Sequence, residues 1–452
     1  MIARRIALEV LERVEEGGAF ANAALNAALE RAGVIDPRER ALATELAYGT
    51  LRQTLALDWR IAQVSTRPLE ELEPRVRLLL RLGAYQLFHL RIPDHAAVSE
   101  TVAQAHALHL ERATGFINAV LRALIRLREE ALAPPLAVDP ATHLLIEQGL
   151  PPWLFEAWRE ALPVEELAAL AATIQQPAPL TLRAASPEAR EAALAHLVEA
   201  GLAARPTPRS PLGILLEGAG TPEKLPGWDE LGLQSQDEGA QLATLFALAE
   251  GPTPLTPGIV LDPCAAPGGK TAHLAQALPD ARIFASDLHA SRARRLSREI
   301  ARLGLGERVE IHAADATLPM PYLDEAGVQA DLLVLDAPCS GLGTLRSHPE
   351  IKLRRGPEDV TRLAGLQERL LTSLAPRVAP GGRLVFIVCT WTKEETLQQI
   401  EYFEEEHPEF EREPVVEPGA ALEGLVDEEH LFATWPHRDN VDGFFGVRWR
   451  RR

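Results

Sequence analysis

The second part of the chain alternates regularly between short apolar strands and amphipathic helices, and this pattern constrains the fold more than any other feature. After Pro257 the apolar runs GIVLD, RIFASD, VEIHAAD, DLLVLD and RLVFIVC follow one another, and helical stretches separate all of them except VEIHAAD and DLLVLD. Buried strands joined by crossover helices are typical of a doubly wound, mostly parallel sheet. We therefore predict a Rossmann-like α/β domain over residues 233–452.

The first part of the chain has a different periodicity. Apolar residues recur at three-to-four spacing from the N-terminus to about Leu127, which predicts an all-helical domain over residues 1–130. Pro134 and Pro135 mark a linker, because proline removes a helix donor and disfavours a helical residue before it. Residues 131–232 mix short strands with a helix and predict a small α+β module. We expect a multidomain protein.

Composition excludes several classes of protein. The apolar runs fall far short of the roughly 20 residues that a spanning helix requires, and the N-terminus lacks a signal-peptide pattern. Three widely spaced cysteines without a CxxC pair argue against both a disulfide framework and a structural zinc site. The 13 histidines show no ligand spacing. We expect a cytoplasmic protein with no membrane span and no metal.

The charge distribution does not decide which part of the surface would contact nucleic acid. The formal net charge is -18, which argues against a uniformly basic surface that grips phosphates. Residues 1–130 are neutral and contain 17 Arg, so the basic groups are relatively concentrated there. Arg75, Arg77, Arg81 and Arg91 either face phosphates or form a solvated helix face balanced by nearby glutamates.

The loop after the first strand of the α/β region is suited to a cofactor. It reads DPCAAPGGKTAHL, where Gly268 and Gly269 let the backbone approach a ligand and the next helix offers its N-terminal amides. The loop matches neither the GxGxxG fingerprint nor the GxxxxGK[ST] phosphate loop. These differences disfavour a nicotinamide dinucleotide and ATP.

Acids and cysteines follow the later strands, whose carboxyl ends meet at one edge of a parallel sheet. A carboxylate at Asp287 can bind both hydroxyls of a ribose, and Asp315 is placed to face an adenine. A lone Asp after a strand is usually a helix N-cap, but a series of reactive groups at successive strand ends favours a site. This series is Asp287, Asp315, Asp336, Cys339 and Cys389.

A nucleoside-type cofactor combined with two thiols indicates methylation of cytosine at C5. Addition of a thiolate to C6 makes C5 nucleophilic, so that one hard step becomes two easier ones. The adduct must then lose its C5 proton and expel the thiolate, which requires a second acid/base group. A carboxyl group against N3 and the exocyclic amine stabilises the charge that the addition creates. Cys389, Cys339 and Asp336 supply these three roles.

Several stretches resemble the Sun/Fmu family of S-adenosylmethionine-dependent RNA cytosine-5 methyltransferases. DPCAAPGGK, DAPCSGLGTLRSHPEIK and the strand ending at Cys389 look like its cofactor-binding, Pro-Cys and second-cysteine motifs. HAAVSETVAQA and GFINAVLRAL are similar to a NusB-like RNA-binding domain. The resemblance covers nearly the whole chain and is strongest to members that act on small-subunit ribosomal RNA. It implies an all-α NusB-like domain and a class I methyltransferase domain.

The resemblance also implies a role for each matching residue. Asp287 would hold the ribose of S-adenosylmethionine and Asp315 its adenine, while Asp336 would lie near the methionine part and the target base. Cys389 would be the nucleophile, and Cys339 would assist product release. The implied cofactor contacts are Cys264, Ala265, Ala266, Pro267, Gly268, Gly269, Lys270, Asp287, Asp315 and Asp336.

The leading hypothesis is a monomeric enzyme that methylates C5 of a cytosine in 16S ribosomal RNA through a covalent intermediate between Cys389 and C6. One alternative is the same chemistry on transfer RNA. A second alternative is a ribosome assembly factor that binds RNA without turnover. The two cysteines argue against the assembly factor, because a pure binding protein needs neither.

Overall fold

We describe a computed structural model of the protein, which covers residues 2–128, 130, 132–217, 220–325 and 327–452. Contacts between Cα atoms divide the chain into two compact units. The helical unit comprises Met1–Pro177 together with the short segment Leu345–Arg354. The sheet unit comprises Ala178–Thr344 and Arg355–Arg452.

The helical unit contains the helices of the N-terminal part of the chain. They are α1 (Ile2–Glu15), α2 (Ala21–Ala32), α3 (Pro37–Val64), α4 (Pro74–His89), α5 (Asp94–Ala107), α6 (Glu111–Leu127), α7 (Pro140–Gln148), α8 (Pro152–Trp158) and α9 (Val164–Ile174). α3 and α7 begin at a side-chain cap followed by proline, as at α3, where Asp36 accepts a hydrogen bond from the amide of Arg38 and Pro37 occupies the first turn. The apolar faces of α1 to α6 form one core.

Three of the four arginines considered for RNA contact are held in ion pairs within the helical unit. Arg81 donates to both carboxylate oxygens of Asp58 at 2.7 Å. The pairs join α4 to α1 and α3: Arg75 with Glu12, Arg77 with Glu15 and Arg81 with Asp58. The balancing carboxylates come from neighbouring helices and not from the glutamates preceding α4. These three guanidinium groups therefore connect α4 to α1 and α3 through ion pairs.

The sheet unit begins with a small α+β module. Its elements are β1 (Leu180–Arg183), α10 (Pro187–Glu199), β2 (Ala203–Pro206), β3 (Gly213–Glu217) and β4 (Gln234–Ser235). The strand order is β2-β3-β1-β4, with antiparallel pairing throughout. β4 lies inside the range predicted for the α/β domain, yet it pairs with β1 of this small sheet.

The larger sheet supports the α/β architecture. Its elements and flanking helices are α11 (Glu238–Leu248), β5 (Ile259–Asp262), α12 (Gly269–Ala277), β6 (Arg282–Asp287), α13 (Ala290–Arg302), β7 (Val309–Ala313), α14 (Pro321–Glu325), β8 (Ala330–Asp336), α15 (Pro357–Leu374), β9 (Val378–Val388), α16 (Leu397–Glu406), β10 (Phe410–Arg412), α17 (Gly419–Leu422), β11 (Phe432–Thr434), α18 (Pro436–Asp439) and β12 (Phe444–Arg451). The strand order is β10-β12-β9-β8-β5-β6-β7, and β11 pairs with β12.

The central strands are buried on both faces of this sheet. In β8, Leu332 and Val334 belong to one apolar core while Leu333 and Leu335 belong to the other. Successive side chains of a strand point to opposite faces, so a continuous apolar run fits a sheet covered on both sides. The predicted multidomain fold, with a helical N-terminal domain, an α+β module and a Rossmann-like domain, is confirmed.

The C-terminal edge of the sheet was not predicted. β12 pairs with β9 in antiparallel register, with Phe445 opposite Val388 and Trp449 opposite Leu384. The sequence pattern had identified only the parallel strands up to β9. Among the residues that the structure describes, none of the helices has the length and apolar character that a membrane span requires.

Candidate active site

The strand order changes direction between β5 and β8. Two carboxylates lie at the ends of these strands. β6 and β7 lie on one side of β5, while β8 and β9 lie on the other. Asp262 ends β5 and Asp336 ends β8. Ligands of open α/β sheets bind in the crevice outside the strand ends at such a switch point. This edge is therefore the candidate site.

Asp262 is a buried anchor of the loop that follows β5. Its Oδ2 accepts a hydrogen bond from Thr271 Oγ1 at 2.7 Å. Burial raises the pKa of Asp262 to about 7, although the Thr271 hydroxyl acts in the opposite direction. Sequence reasoning had not singled out this residue. Through its hydrogen bond to Thr271, Asp262 connects the end of β5 to the first turn of α12.

The loop between β5 and α12 is held by hydrogen bonds to the neighbouring strand and helix. The amide of Ala265 donates to the carbonyl of Ser286 at 2.8 Å, and Arg292 donates to the carbonyl of Ala266 at 3.0 Å. Gly268 has φ +115°, and an added Cβ would lie 2.6 Å from Leu296. Glycine is therefore favoured there on conformational grounds.

A cavity of about 470 Å³ opens beside this loop. One end is lined by the loop and strand-end residues, while Trp228 and three arginines of α13, Arg295, Arg298 and Arg302, form another part of its wall. The loop residues at its wall are Ala265, Ala266, Pro267, Gly269 and Lys270, together with Asp262 and Asp336. The volume lies in the usual range of ligand and cofactor sites.

Lys270 and Asp336 form a tight ion pair in the crevice. The Nζ atom of Lys270 lies 2.8 Å from Asp336 Oδ2 and 4.9 Å from the centre of the Phe444 ring. Burial alone lowers the pKa of Lys270, but Asp336 and the nearby Cys389 outweigh it, so the pKa is raised above its ordinary value. Lys270 therefore carries a permanent positive charge beside the candidate nucleophile.

Asp287 and Asp315 lie farther along the same edge of the sheet. Asp287 ends β6, accepts a hydrogen bond from the amide of His289 at 2.9 Å and faces Arg292 at 3.4 Å. Asp315 follows β7 by two residues, and hydrogen bonds from Thr317 lower its pKa. Of the described residues, those that line the 470 Å³ cavity include neither of these aspartates. Both carboxylates are held by local turns.

The two candidate catalytic cysteines are in contact. Cys339 follows β8 and Cys389 follows β9, and their sulfur atoms lie 3.1 Å apart. The amide of Cys389 also points to the Cys339 sulfur at 3.3 Å. Hydrogen bonding to Cys389, followed by burial, raises the pKa of Cys339 well above its ordinary value. The parallel pairing of β8 and β9 brings together residues 50 positions apart.

The thiol of Cys264, like that of Cys339, has a raised pKa. Burial, and then the negative charges of Asp262 and Asp336, raise the pKa of its thiol. A thiol with a raised pKa is a poor nucleophile, because the thiolate is the reactive form. This agrees with the backbone role expected for Cys264.

Glu395 organises both cysteine loops, although sequence reasoning missed it. This fully buried carboxylate accepts hydrogen bonds from the amide of Ser340 at 2.8 Å, from Gln367 at 3.1 Å and from Thr392 at 2.9 Å. Ser340 follows Cys339, and its hydroxyl donates to Thr390 beside Cys389 at 3.0 Å. Only an acidic side chain six residues after Cys389 signals this role in the sequence.

Two glycines allow the backbone around Cys389 to pack closely. Gly343 donates its amide to the carbonyl of Cys389 at 2.8 Å and accepts from the amide of Gly443 at 2.8 Å. A Cβ on Gly343 would lie 2.3 Å from the Gly443 carbonyl, and one on Gly443 would lie 1.8 Å from the Trp391 ring. The backbone of Cys389, the candidate nucleophile, is therefore closely packed against Gly343 and, through it, Gly443.

Replacing Glu395 with alanine is expected to lower the free energy of unfolding by about 2–3 kcal/mol, because several buried donors lose their acceptor. Denaturant titration measures this change. Glu394→Ala, at the half-buried neighbouring position, is the matched control and should change stability by less than about 0.5 kcal/mol. Equal stability of the two variants would contradict the role assigned to Glu395.

The doubly wound sheet, the glycine loop and the reactive groups at the switch point define an α/β enzyme of the Rossmann-like methyltransferase class. The family described as 16S rRNA methyltransferase RsmB/F matches residues 252–450. The NusB family matches residues 1–126, and a ferredoxin-like domain of RsmF/B-like methyltransferases matches residues 150–222. The chain belongs to the RsmB/F family of S-adenosylmethionine-dependent methyltransferases.

Curated relatives match nearly the full length of the chain. The ribosomal RNA small subunit methyltransferase B of Erwinia tasmaniensis is 34% identical over 448 residues, with 98% of this chain and 97% of the relative covered. The protein of the same name from Pseudomonas putida is 39% identical over 403 residues, with 88% of each chain covered. The resemblance to a Sun/Fmu-type methyltransferase with a NusB-like domain is confirmed.

Solved structures show the same fold. The structure named PH0851 aligns with a TM-score of 0.83 at 24% identity, covering 100% of this chain and 98% of that one. NSun6 from Pyrococcus horikoshii, solved with SFG, aligns with a TM-score of 0.57 at 20% identity, covering 67% of this chain and 99% of that one. At these identities the likeness concerns the fold alone.

The crevice fits S-adenosylmethionine, the cofactor of this family. The first-turn amides of α12 have no acceptor within the helix, and Lys270 adds a cation that suits a carboxylate. Gly268 and Gly269 leave the wall of the loop without side chains. Asp287 and Asp315 lie farther along the same edge of the sheet, outside the lining of the cavity. Among the described residues, no group of three side chains suited to a metal ion is found.

Proposed function

We propose that the protein methylates C5 of a cytosine in 16S ribosomal RNA, with Cys389 as the covalent nucleophile. The observation that carries the proposal is the pair of thiols of Cys339 and Cys389, 3.1 Å apart, beside the Lys270–Asp336 ion pair. A binding protein needs no such pair. The family membership supports methyl transfer, and the names of the curated relatives indicate small-subunit ribosomal RNA as the substrate.

In the first step, the thiolate of Cys389 adds to C6 of the cytosine, which forms an S–C6 bond and moves an electron pair to C5. The ammonium group of Lys270, whose pKa is raised first by Asp336 and then by Cys389, is the cation assigned to stabilise the thiolate. The carboxylate of Asp336 accepts from the exocyclic amine, and from N3 once N3 is protonated, and so stabilises the charge that the addition creates there. When bound, S-adenosylmethionine supplies the electrophilic methyl group that C5 attacks.

In the second step, C5 loses its proton, and the S–C6 bond breaks with its electron pair returning to Cys389. We assign Cys339 to this release. Its contact with Cys389, followed by burial, raises the pKa of the Cys339 thiol, and the two sulfur atoms lie 3.1 Å apart. Because C5 is bonded to C6, this distance supports a position of Cys339 beside the C5 proton once the sulfur of Cys389 is bonded to C6.

The cofactor contacts are proposed to extend from the α12 loop along the strand ends. The loop contacts are Cys264, Ala265, Ala266, Pro267, Gly268, Gly269 and Lys270. Asp287 would bind the ribose and Asp315 the adenine, since a carboxylate accepts from hydroxyl and amine donors. Asp336 would serve both the methionine part and the target base.

Replacing Asp287 with alanine is expected to weaken S-adenosylmethionine binding about tenfold or more, because hydrogen bonds to a charged acceptor contribute about 1.5–3 kcal/mol. Isothermal titration calorimetry measures the change in Kd. Asp280→Ala, at the exposed turn preceding β6, is the matched control and should bind like the wild type. An unchanged Kd for Asp287→Ala would remove Asp287 from the proposed cofactor site.

The N-terminal part of the chain is proposed to dock the RNA. We assign residues 1–130 to a NusB-like docking domain, residues 131–232 to a linker with the α+β module, and residues 233–452 to catalysis. The ion pairs of Arg75, Arg77 and Arg81 favour docking through other surfaces of the helical domain. We propose that the enzyme acts as a monomer.

The substrate is tested with S-adenosylmethionine carrying a labelled methyl group. Deproteinised small-subunit ribosomal RNA and bulk transfer RNA are incubated separately with the protein, and the labelled nucleoside is identified after digestion. The proposal predicts labelled 5-methylcytidine from ribosomal RNA alone. Label from transfer RNA alone would overturn the substrate and keep the chemistry. Label in another nucleoside would overturn the chemistry.

A further inference from the structure

One glutamine side chain faces the cofactor crevice with an unused donor. Gln236 is 8% exposed and lines the 470 Å³ cavity beside Gly269, the first residue of α12. Its Nε2 atom is 3.4 Å from the position that a Cβ on Gly269 would occupy. Among the residues that the structure describes, none accepts a hydrogen bond from this Nε2, although the Oε1 atom accepts from Arg183. A buried donor without an acceptor is costly, so it points to a partner outside the chain.

A buried arginine determines which end of the Gln236 amide faces the crevice. Arg183, at the end of β1, is 1% exposed, and its Nε donates to Gln236 Oε1 at 2.7 Å. The same guanidinium group donates to the side-chain oxygens of Gln234 and, at 2.6 Å, Gln276. A guanidinium group has donors only, so each glutamine presents its oxygen to it and turns its NH2 group away. The orientation of the Gln236 amide therefore follows from Arg183.

Amide and carbonyl oxygens take the place of a carboxylate around Arg183. Its hydrogen-bond acceptors in the described part of the chain include no carboxylate. Burial lowers the pKa of Arg183 to about 9, although the charge of Glu299 acts in the opposite direction. Arg183 is therefore still protonated at neutral pH. The Gln236 amide cannot turn over without bringing its NH2 group against a buried cation.

The backbone of Gln236 is held as well. Its amide donates to the carbonyl of Thr181 on β1 at 3.1 Å, and its carbonyl accepts from Gln241 of α11 at 3.0 Å. Gln236 directly follows β4, the strand that pairs with β1. All of these residues belong to the sheet unit. The small α+β module thus fixes a hydrogen-bond donor at the edge of the larger sheet.

The donors at this corner of the crevice suit a carboxylate. The first-turn amides of α12 have no acceptor within the helix, and Gly269 has no side chain to cover them. Lys270 already shares its charge with Asp336. The ribose and adenine of S-adenosylmethionine are assigned to Asp287 and Asp315, which lie outside the described lining of the cavity. The amino-acid part, which carries the one carboxylate of this cofactor, is the part that remains for the corner.

We infer that Gln236 binds the carboxylate of S-adenosylmethionine through its Nε2 atom, and that Arg183 is the positioning residue that orients this donor. The inference rests on the proposed function for the place of the cofactor, and it does not involve the target base. The α+β module then takes part in cofactor binding.

The test compares two ligands that differ by the carboxylate alone. Isothermal titration calorimetry of the full chain, without RNA, gives the Kd of S-adenosylmethionine and of decarboxylated S-adenosylmethionine. Gln236→Met keeps the length of the side chain and removes the donor. We expect it to weaken binding of S-adenosylmethionine about tenfold or more, and to change binding of the decarboxylated compound by less than about twofold. Equal losses for the two ligands would overturn the inference.

Gln276→Met is the matched control. Gln276 also accepts from Arg183, but it lies outside the described lining of the cavity. This variant should bind both ligands within about twofold of the wild type. A loss for S-adenosylmethionine as large as that in Gln236→Met would show that disturbance of the Arg183 contacts, and not a missing donor, causes the effect.

Gln236→Glu serves if Gln236→Met does not fold. It keeps an oxygen for Arg183 and replaces the donor with a second acceptor, so the melting temperature should not fall. Binding of S-adenosylmethionine should weaken at least about tenfold, because two carboxylates then face each other. Unchanged binding of S-adenosylmethionine by this variant would contradict the inference.

Arg183→Met tests the positioning role. Without the guanidinium group the Gln236 amide can turn, so we expect binding of S-adenosylmethionine to weaken about threefold or more. The double variant Arg183→Met, Gln236→Met should bind no more weakly than Gln236→Met alone, because Arg183 acts through that amide. Losses that multiply in the double variant would contradict positioning. Arg183→Lys, which keeps the charge without the planar set of donors, serves if Arg183→Met does not fold.

The outcomes separate this inference from the proposed function. Labelled 5-methylcytidine in ribosomal RNA, with unchanged ligand selectivity in Gln236→Met, would overturn the inference and leave the proposed function standing. Carboxylate selectivity that depends on Gln236, without labelled RNA, would support the inference and overturn the proposed function. A wild-type protein that binds neither ligand would contradict both.

Discussion

Replacing Cys389 with alanine is expected to abolish methyl transfer, with a loss of at least about 10⁴-fold in kcat/KM. Without the thiolate, C5 of the cytosine is not activated for attack on the methyl group. The cofactor crevice does not depend on this sulfur, so binding of S-adenosylmethionine and the melting temperature should stay near the wild-type values. The measurement is the incorporation of labelled methyl groups into ribosomal RNA under single-turnover conditions.

Cys389→Ser is the conservative companion of this variant. A serine hydroxyl is far less acidic than a thiol, and Lys270 alone does not ionise it, so no covalent adduct should form. Turnover by Cys389→Ala or Cys389→Ser within about tenfold of the wild type would show that Cys389 is not the nucleophile. A loss of cofactor binding in either variant would show instead that the substitution disturbs the crevice.

Replacing Cys339 with serine is expected to have the opposite effect on the covalent adduct. Addition and methyl transfer use Cys389, so the adduct should form, but the group assigned to removal of the C5 proton is missing. The protein should therefore accumulate on RNA as a complex that survives denaturing gel electrophoresis, with a loss of about 10²–10⁴-fold in turnover.

The double variant Cys339→Ser, Cys389→Ser is the control for this trapping experiment, and it should form no complex. A complex that forms with Cys389→Ser and not with Cys339→Ser would reverse the two assignments. Failure of both single variants to form a complex, with turnover retained, would exclude the covalent route altogether.

Sequence patterns predicted the central features of the fold because those features are local. The apolar runs of β5, β6 and β8 and the amphipathic helices between them follow from periodicity, and the switch point follows from the connectivity of such units. Cys339 and Cys389 could be expected at one edge because both follow parallel strands. Their contact distance of 3.1 Å could not, since it depends on the register between β8 and β9.

Other features depend on contacts between residues far apart in sequence. Glu395 carries no motif of its own, and only the fold brings Ser340 and Gln367 to it. β12 pairs with β9 in antiparallel register, which a pattern of alternating strands and helices does not indicate. The sequence left open whether Arg77 and Arg81 contact phosphates, because their partners Glu15 and Asp58 lie on other helices.

The central claim is that Cys389 becomes covalently bonded to the target cytosine, and RNA containing 5-fluorocytidine tests it most directly. Fluorine at C5 cannot leave as a proton does, so the wild-type enzyme should stall as a methylated adduct with both cysteines still present. Digestion and mass spectrometry then locate the modified residue. The account predicts the nucleotide on Cys389, whereas a nucleotide on Cys339, or none on either cysteine, would contradict it.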